Sequence, residues 1–157
     1  MPRIEPKADA NVPMDINIFK TMAVSPTFME GFLAFNKTVS GGTLSEELRE
    51  KIALTAAGKN ECDYCKAAHS KMAAGAGISE GGIEYALQGK CGDAKIDAAL
   101  KFVTALIEKR GHIDDADFNA VKDAGYSDQE IIDIFGQTMV NMVTNYFNDF
   151  VQTDIDL

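Results

Sequence analysis

A chain of 157 residues suits one domain, large enough to bury a core without disulfide staples. Its net charge of −9 and its lack of any basic run argue against partners built on phosphate, whether nucleic acid or an anionic membrane surface. No window has the length and hydropathy of a membrane span, and Met1-Pro-Arg-Ile-Glu-Pro-Lys7 has no apolar leader segment, so the expected compartment is the cytoplasm.

Residues 1–12 are polar, hold two of the four prolines and show no periodicity. They read as a mobile arm or a strap over a neighbour, ahead of a helical domain at 13–157. Pro13 is placed to open a short helix with Ile16, Phe19 and Met22 as its apolar stripe. Ser25 then caps a second helix, with Pro26 at its first position and Phe28, Phe32, Phe35 and Val39 on one face, up to Gly41-Gly42. A third starts near Ser45 with Glu46 and Glu47 in its first turn and runs through Leu48, Ile52 and Ala56 to Gly58. A fourth, alanine-rich, begins around Glu61-Cys62 and ends at the natural C-caps Gly75 and Gly77.

Ser79 caps a short fifth helix through Ile83, Tyr85, Ala86 and Leu87. The sixth carries Ile96, Leu100, Val103, Leu106 and Ile107, with Lys109 and Arg110 closing it against the dipole. Asp114 to Gly125 forms another amphipathic helix with Phe118 and Val121 inward, and Ser127-Asp-Gln-Glu130 is a capping box before the longest run, Ile131 to about Phe150. That last helix is apolar on most of its circumference, which suits either the centre of the core or a surface shared with a second subunit. Nothing alternates with period two, so the class is all-α, a single compact helical domain of about seven or eight helices.

The chemistry concentrates between Glu50 and His69. Three cysteines are an odd number for a disulfide framework, and in a reducing compartment a close pair points to catalysis or metal binding. On a helix Cys62, Cys65 and His69 fall at i, i+3 and i+7, within roughly 60° of one another at about 100° per residue, so they share a face. A short Gly58-Lys-Asn turn would fold the preceding helix back as a hairpin and bring Glu50 over His69. The free N–H groups of a helix start favour a thiolate at Cys62, whereas a histidine one turn beyond Cys65, oriented by a carboxylate, favours Cys65. The two arguments select different nucleophiles. A pair of merely buried cysteines is one alternative. Structural zinc is another, but Cys62, Cys65 and His69 supply three ligands of the four required, and Cys91 or His112 would complete the set only by accident of folding. His112 reads as a solvated loop histidine, and Tyr64 as a packing residue whose hydroxyl finds a partner at the pocket edge.

Taken together, Arg49-Glu50, then Cys62-Asp-Tyr-Cys65, then His69 form the pattern E-(x11)-C-x-x-C-x-x-x-H. It resembles the AhpD-like alkyl hydroperoxidases of the carboxymuconolactone decarboxylase superfamily, as do Ile18-Phe19-Lys-Thr-Met22 with Ser25-Pro26 before it, and Asn141 with Asn145-Tyr-Phe-Asn148 after it. The resemblance implies an AhpD-like helical subunit assembled into trimers or hexamers, acting without cofactor as a peroxidase on organic hydroperoxides in antioxidant defence. By position it implies Cys65 as the attacking thiolate, Cys62 as the thiol that closes the disulfide, and Glu50 and His69 as the proton relay. Electrons would come from a dithiol, such as a lipoyl group on a partner protein. Some of those relatives carry a histidine where this chain has Tyr64. Relatives lacking the cysteine pair are lactone decarboxylases. A decarboxylase-like or disulfide reductase enzyme, and a non-enzymatic oligomeric or zinc-binding module, are the alternatives.

Overall fold

Short polar side chains start most of the helices. Ser25, Ser45, Ser79, Asp93, Asp114 and Ser127 each accept a hydrogen bond from the backbone N–H three residues on, and Ser127 closes a reciprocal capping box with Glu130. The computed structural model describes residues 1–157 and contains eight helices: α1 (Asn17–Met22), α2 (Pro26–Ser40), α3 (Glu46–Lys59), α4 (Asp63–Gly75), α5 (Glu80–Leu87), α6 (Ala94–Glu108), α7 (Asp115–Asp123) and α8 (Asp128–Val151). There is no strand, and the chain is all-α as its periodicity indicated. No helix is long and apolar enough to cross a membrane.

The centre of the fold is α3, which packs against α4, α5, α6 and α8. Every residue from Lys51 to Ala57 is buried, and Ala53, Ala56 and Ala57 are small enough to let neighbours approach on all sides. Gly58 does not stop this helix as the sequence suggested. It lies inside α3, where an added Cβ would collide with the Leu87 carbonyl oxygen, so its role is the close approach of α5. The turn into α4 is therefore Asn60–Cys62, with Glu61 in the left-handed region at φ 56°.

Other expectations need correction. Pro13 does not open α1. That helix starts at Asn17, whose backbone N–H donates to Asp156 Oδ2 at 2.8 Å, so a carboxylate from the C-terminal tail caps it in place of a local side chain. The aromatic stripe of α2 is only half used: Phe32 is buried, while Phe28 and Phe35 remain exposed, Phe28 stacking on Phe147 with centroids 5.6 Å apart. Phe118 is likewise exposed, and Val121 alone anchors α7. Lys109 lies past the last turn of α6 and reaches Asp114 at 2.7 Å, and Asp117, instead of complementing the helix end.

The longest helix, α8, packs against α2, α3, α4, α6 and α7 and buries Ile131, Ile134, Val140 and Val151, but its buried face is not purely apolar. Gln137, Thr138, Asn141, Asn145 and Asn148 are on its buried face, while Ile132, Phe135, Tyr146 and Phe150 face outward. Two large hydrophobic clusters result. One gathers Leu44, Leu48, Ile52, Leu100, Val103 and Ile134, among others, between α3, α6, α7 and the first half of α8. The second joins Ile18, Met22, Phe32, Ala57 and Val140 to Cys62, Tyr64 and Cys65. The arm of residues 1–12 runs past the end of α8, where Arg3 donates its backbone N–H to the Val151 carbonyl at 2.7 Å and its guanidinium to the Phe150 carbonyl at 2.9 Å.

Candidate redox site

The site sits where α3 turns into α4. Cys62 is the N-cap of α4, in extended backbone, and its sulfur accepts the Cys65 backbone N–H at 3.3 Å. Cys65 is the third residue of the helix, which places the two Cα atoms 5.3 Å apart, and the sulfurs are bonded as a disulfide. Both cysteines are buried, at 3% and 2% exposure, so the bond is shielded from most of the solvent.

One turn beyond Cys65 on the same helix face is His69, and the α3–α4 hairpin brings Glu50 to it, with Oε2 3.0 Å from Nδ1. Both side chains are largely shielded from water, which strengthens the pair relative to one on the open surface. In the tautomer that donates Nδ1–H to the carboxylate, Nε2 is the nitrogen left to exchange a proton. The four residues singled out in the sequence, Glu50, Cys62, Cys65 and His69, are thus gathered on one hairpin.

Other contributors were not anticipated. Asn148 of α8 donates its Nδ2 to Cys65 Sγ at 3.3 Å, a contact that would suit a thiolate at that sulfur. Each sulfur therefore has one N–H donor, the backbone for Cys62 and a side chain for Cys65. One turn earlier on α8, Asn145 accepts from Asn60 Nδ2 at 2.8 Å and ties the α3–α4 turn to the helix that carries Asn148. The only sequence signal for this face was the spacing of Asn141, Asn145 and Asn148 by four and three, a stripe of one helix face. Tyr64 behaves as expected: its hydroxyl donates to Asp156 Oδ1 at 3.0 Å and accepts the Ile18 N–H at 3.5 Å. Burial, together with the adjacent carboxylate, pushes this phenol well above the usual tyrosine range, and it is unsuited to proton transfer.

Cys91 and His112 stand apart from this group. Cys91 packs against the other hydrophobic cluster with its sulfur 3.1 Å from Lys51 Nζ, and His112 is exposed in the turn between α6 and α7. Lys51 also holds Glu47 at 2.5 Å; burial opposes its charge, but these two partners keep its pKa above the ordinary lysine value. No group of three or more His, Cys, Asp or Glu side chains is arranged to hold a metal ion. What the site can do is make and break one disulfide, steady a thiolate and pass a proton through an imidazole held by a carboxylate.

Residues 26–108, more than half of the chain and including Glu50, Cys62, Cys65 and His69, match the carboxymuconolactone decarboxylase family. The chain belongs to that family. No protein of curated function matches it in sequence. Among solved structures, the family member resembles an uncharacterised peroxidase-related protein from Silicibacter sp. TM1040, with a TM-score of 0.82 and 24% identity over 91% of this chain and 78% of that one. It is equally similar, at TM-score 0.82 and 22% identity over 90% and 77% of the two chains, to a peroxidase-related protein from Ralstonia eutropha JMP134 described as an alkylhydroperoxidase AhpD core. A variant of the debrominase Bmp8 bound to 2,3,4-tribromopyrrole also matches, at TM-score 0.80 and 21% identity over 93% and 80%. The shared fold is AhpD-like, and it carries more than one chemistry.

Proposed function

We propose that this protein is a cytoplasmic, dithiol-dependent peroxidase for organic hydroperoxides, working as a homo-oligomer, a trimer or hexamer, in antioxidant defence. The observation that carries this reading is the Cys62–Cys65 disulfide at the head of α4 with the Glu50–His69 pair one turn further along the same helix. In the reduced protein the Cys65 thiolate attacks the outer oxygen of the hydroperoxide. The O–O bond breaks, the alcohol leaves with a proton relayed by His69, and Cys65 becomes a sulfenic acid. Cys62 then attacks the Cys65 sulfur, water departs, and the disulfide forms. A dithiol, such as the lipoyl group of a partner protein, returns two electrons and two protons.

Asn148 favours Cys65 as the nucleophile, because its amide donor is aimed at that sulfur from outside the helix. The outward apolar residues of α8, Ile132, Phe135, Tyr146 and Phe150, supply a surface suited to subunit contact. Peroxide consumption with a dithiol donor tests the reading. Wild-type protein is expected to turn over an alkyl hydroperoxide and Cys65→Ser to lose turnover by more than about a thousandfold, as for loss of a nucleophile. Equal consumption by the two proteins would sink the proposal.

A further inference from the structure

Cys62, and not Cys65, lines a cavity of about 250 Å³ between the start of α4 and the C-terminal end of α8. Its polar wall is one-sided. Glu61, Asp63, Asp149 and Asp154 all lie on it and no Lys, Arg or His does; Met1, which carries the amino terminus, also lines it, and the Arg3 guanidinium is held nearby on the Phe150 carbonyl. Lys66 lies outside the lining and offsets one of these charges through its 3.0 Å contact with Asp63. A second, independent feature points to a ligand. Asn148 is 3% exposed and lines the same cavity, yet its Oδ1 has no hydrogen-bond partner, and neither has the buried Thr153 Oγ1 beside it. Buried acceptors without partners are rare in folded proteins, and here both belong to residues that line the cavity.

We propose that this cavity is where the reductant reaches Cys62, and that it selects an uncharged or cationic dithiol bearing hydrogen-bond donors over anionic thiols. The inference rests on the peroxidase reading for its physiological meaning, but the disulfide and the cavity define the reduction step on their own. A thiolate of the donor attacks Cys62 Sγ, the bond to Cys65 breaks, and Cys65 leaves as a thiolate beside the Asn148 amide. A second sulfur tethered to the first completes the exchange without a second encounter, which favours a dithiol over two separate thiols. That second sulfur loses its proton to solvent and attacks the donor's own sulfur in the mixed disulfide, releasing Cys62. The donor ends as a cyclic disulfide, two electrons have passed to the cysteines, and the released thiolates take back from solvent the two protons that the donor lost to it. Since the attacking sulfur is already anionic, a further carboxylate on the donor adds repulsion from the wall, whereas an amide N–H can meet Asn148 Oδ1.

Dihydrolipoamide and dihydrolipoate carry the same dithiol and differ in one terminal charge. With the oxidised protein and no peroxide present, the amide is expected to reduce the Cys62–Cys65 disulfide about ten times faster, followed by quenched-flow thiol labelling. The ratio should fall towards one in 1 M salt, where the Debye length is about 3 Å, and in the Glu61→Gln/Asp149→Asn/Asp154→Asn variant. Equal rates in wild type, a ratio indifferent to both salt and the variant, or failure of both donors to reduce the bond would overturn the proposal. The salt series uses wild-type protein, so it decides the matter even where the variant folds poorly. If the charge preference holds and the reduced protein consumes no hydroperoxide, the selective port stands and the peroxidase reading falls. Peroxide turnover without charge preference keeps the peroxidase reading and removes the port.

Discussion

The two large hydrophobic clusters are built from similar apolar residues but differ in what else they contain. In the cluster formed by Leu44, Ile52, Leu100, Val103, Val121 and Ile134 the only polar side chain is Tyr126. The cluster around Met22, Phe32 and Val140 includes both cysteines of the disulfide and Tyr64, and the neighbouring face of α8 adds buried Asn141, Asn145 and Asn148, two of which leave a polar atom without a partner. A dry cluster gains the full hydrophobic and packing energy of its side chains, whereas each unmet polar atom in the other costs about 1–3 kcal/mol. The division of labour is physical: one end holds the fold together, and the other gives up stability to keep hydrogen-bonding groups near a sulfur.

The largest effect on stability is therefore expected at the dry end. Leu100 is fully buried, and Leu100→Ala should lower unfolding free energy by about 3 kcal/mol through lost transfer energy and the cavity left behind. Because none of the site residues belongs to that cluster, the rate at which a dithiol reduces the disulfide should stay within about twofold of wild type under native conditions. Urea denaturation and thiol labelling of the same sample check the two halves. Loss of stability accompanied by a roughly tenfold loss of reduction rate would mean that the clusters are mechanically coupled and the contrast is wrong.

The parts of the site on one hairpin were legible in the sequence because helical spacing alone puts Cys62, Cys65 and His69 on a face, and a short turn limits where Glu50 can go. Asn148 lies 83 residues from Cys65, and no local pattern states which helix will cross there. Asp156 capping α1 was invisible for the same reason, and Pro13 drew attention to the wrong start. Gly58 was misread because a glycine near a helix end signals a stop just as readily as a close approach, and only the position of Leu87 separates the two. In α8 the count of apolar residues hid the polar stripe. An apolar run round most of a helix does not say which side packs on α3 and α4, and the buried positions mix Ile131, Ile134, Val140 and Val151 with Gln137, Asn141 and Asn145.

Asn148 allows the contrast to be sharpened at the polar end. Replacing it with leucine fills similar volume, removes the unmet Oδ1 and deletes the donor to Cys65. Asn148→Leu is expected to leave stability unchanged or raise it by about 1 kcal/mol, while slowing the reaction of Cys65 with hydroperoxide about tenfold. Denaturation and single-turnover kinetics give the two values. A variant that is less stable and reacts at the wild-type rate would make Asn148 a structural residue and remove the trade-off.

The smallest effect compares the two buried tyrosines, one in each cluster. Burial pushes the Tyr126 phenol up to about 12, and burial with the Asp156 carboxylate pushes Tyr64 higher still. In both cases the folded chain keeps a proton that the unfolded chain releases near pH 10, so the contribution to stability is complete below about pH 10 and is lost as pH rises towards the folded values. Tyr64→Phe removes the larger shift. It should cost about 1 kcal/mol at pH 7, where the hydrogen bonds to Asp156 and Ile18 are lost, and give a shallower decline between about pH 9 and 11 than wild type. Tyr126→Phe should flatten the same limb less, because its phenol is shifted less. Urea midpoints across that range decide it: parallel alkaline limbs for wild type and Tyr64→Phe would mean that the Tyr64 proton is not held by the folded state, and the hydrogen-bonded tie between α1, α4 and the C-terminal tail would lose its pH signature.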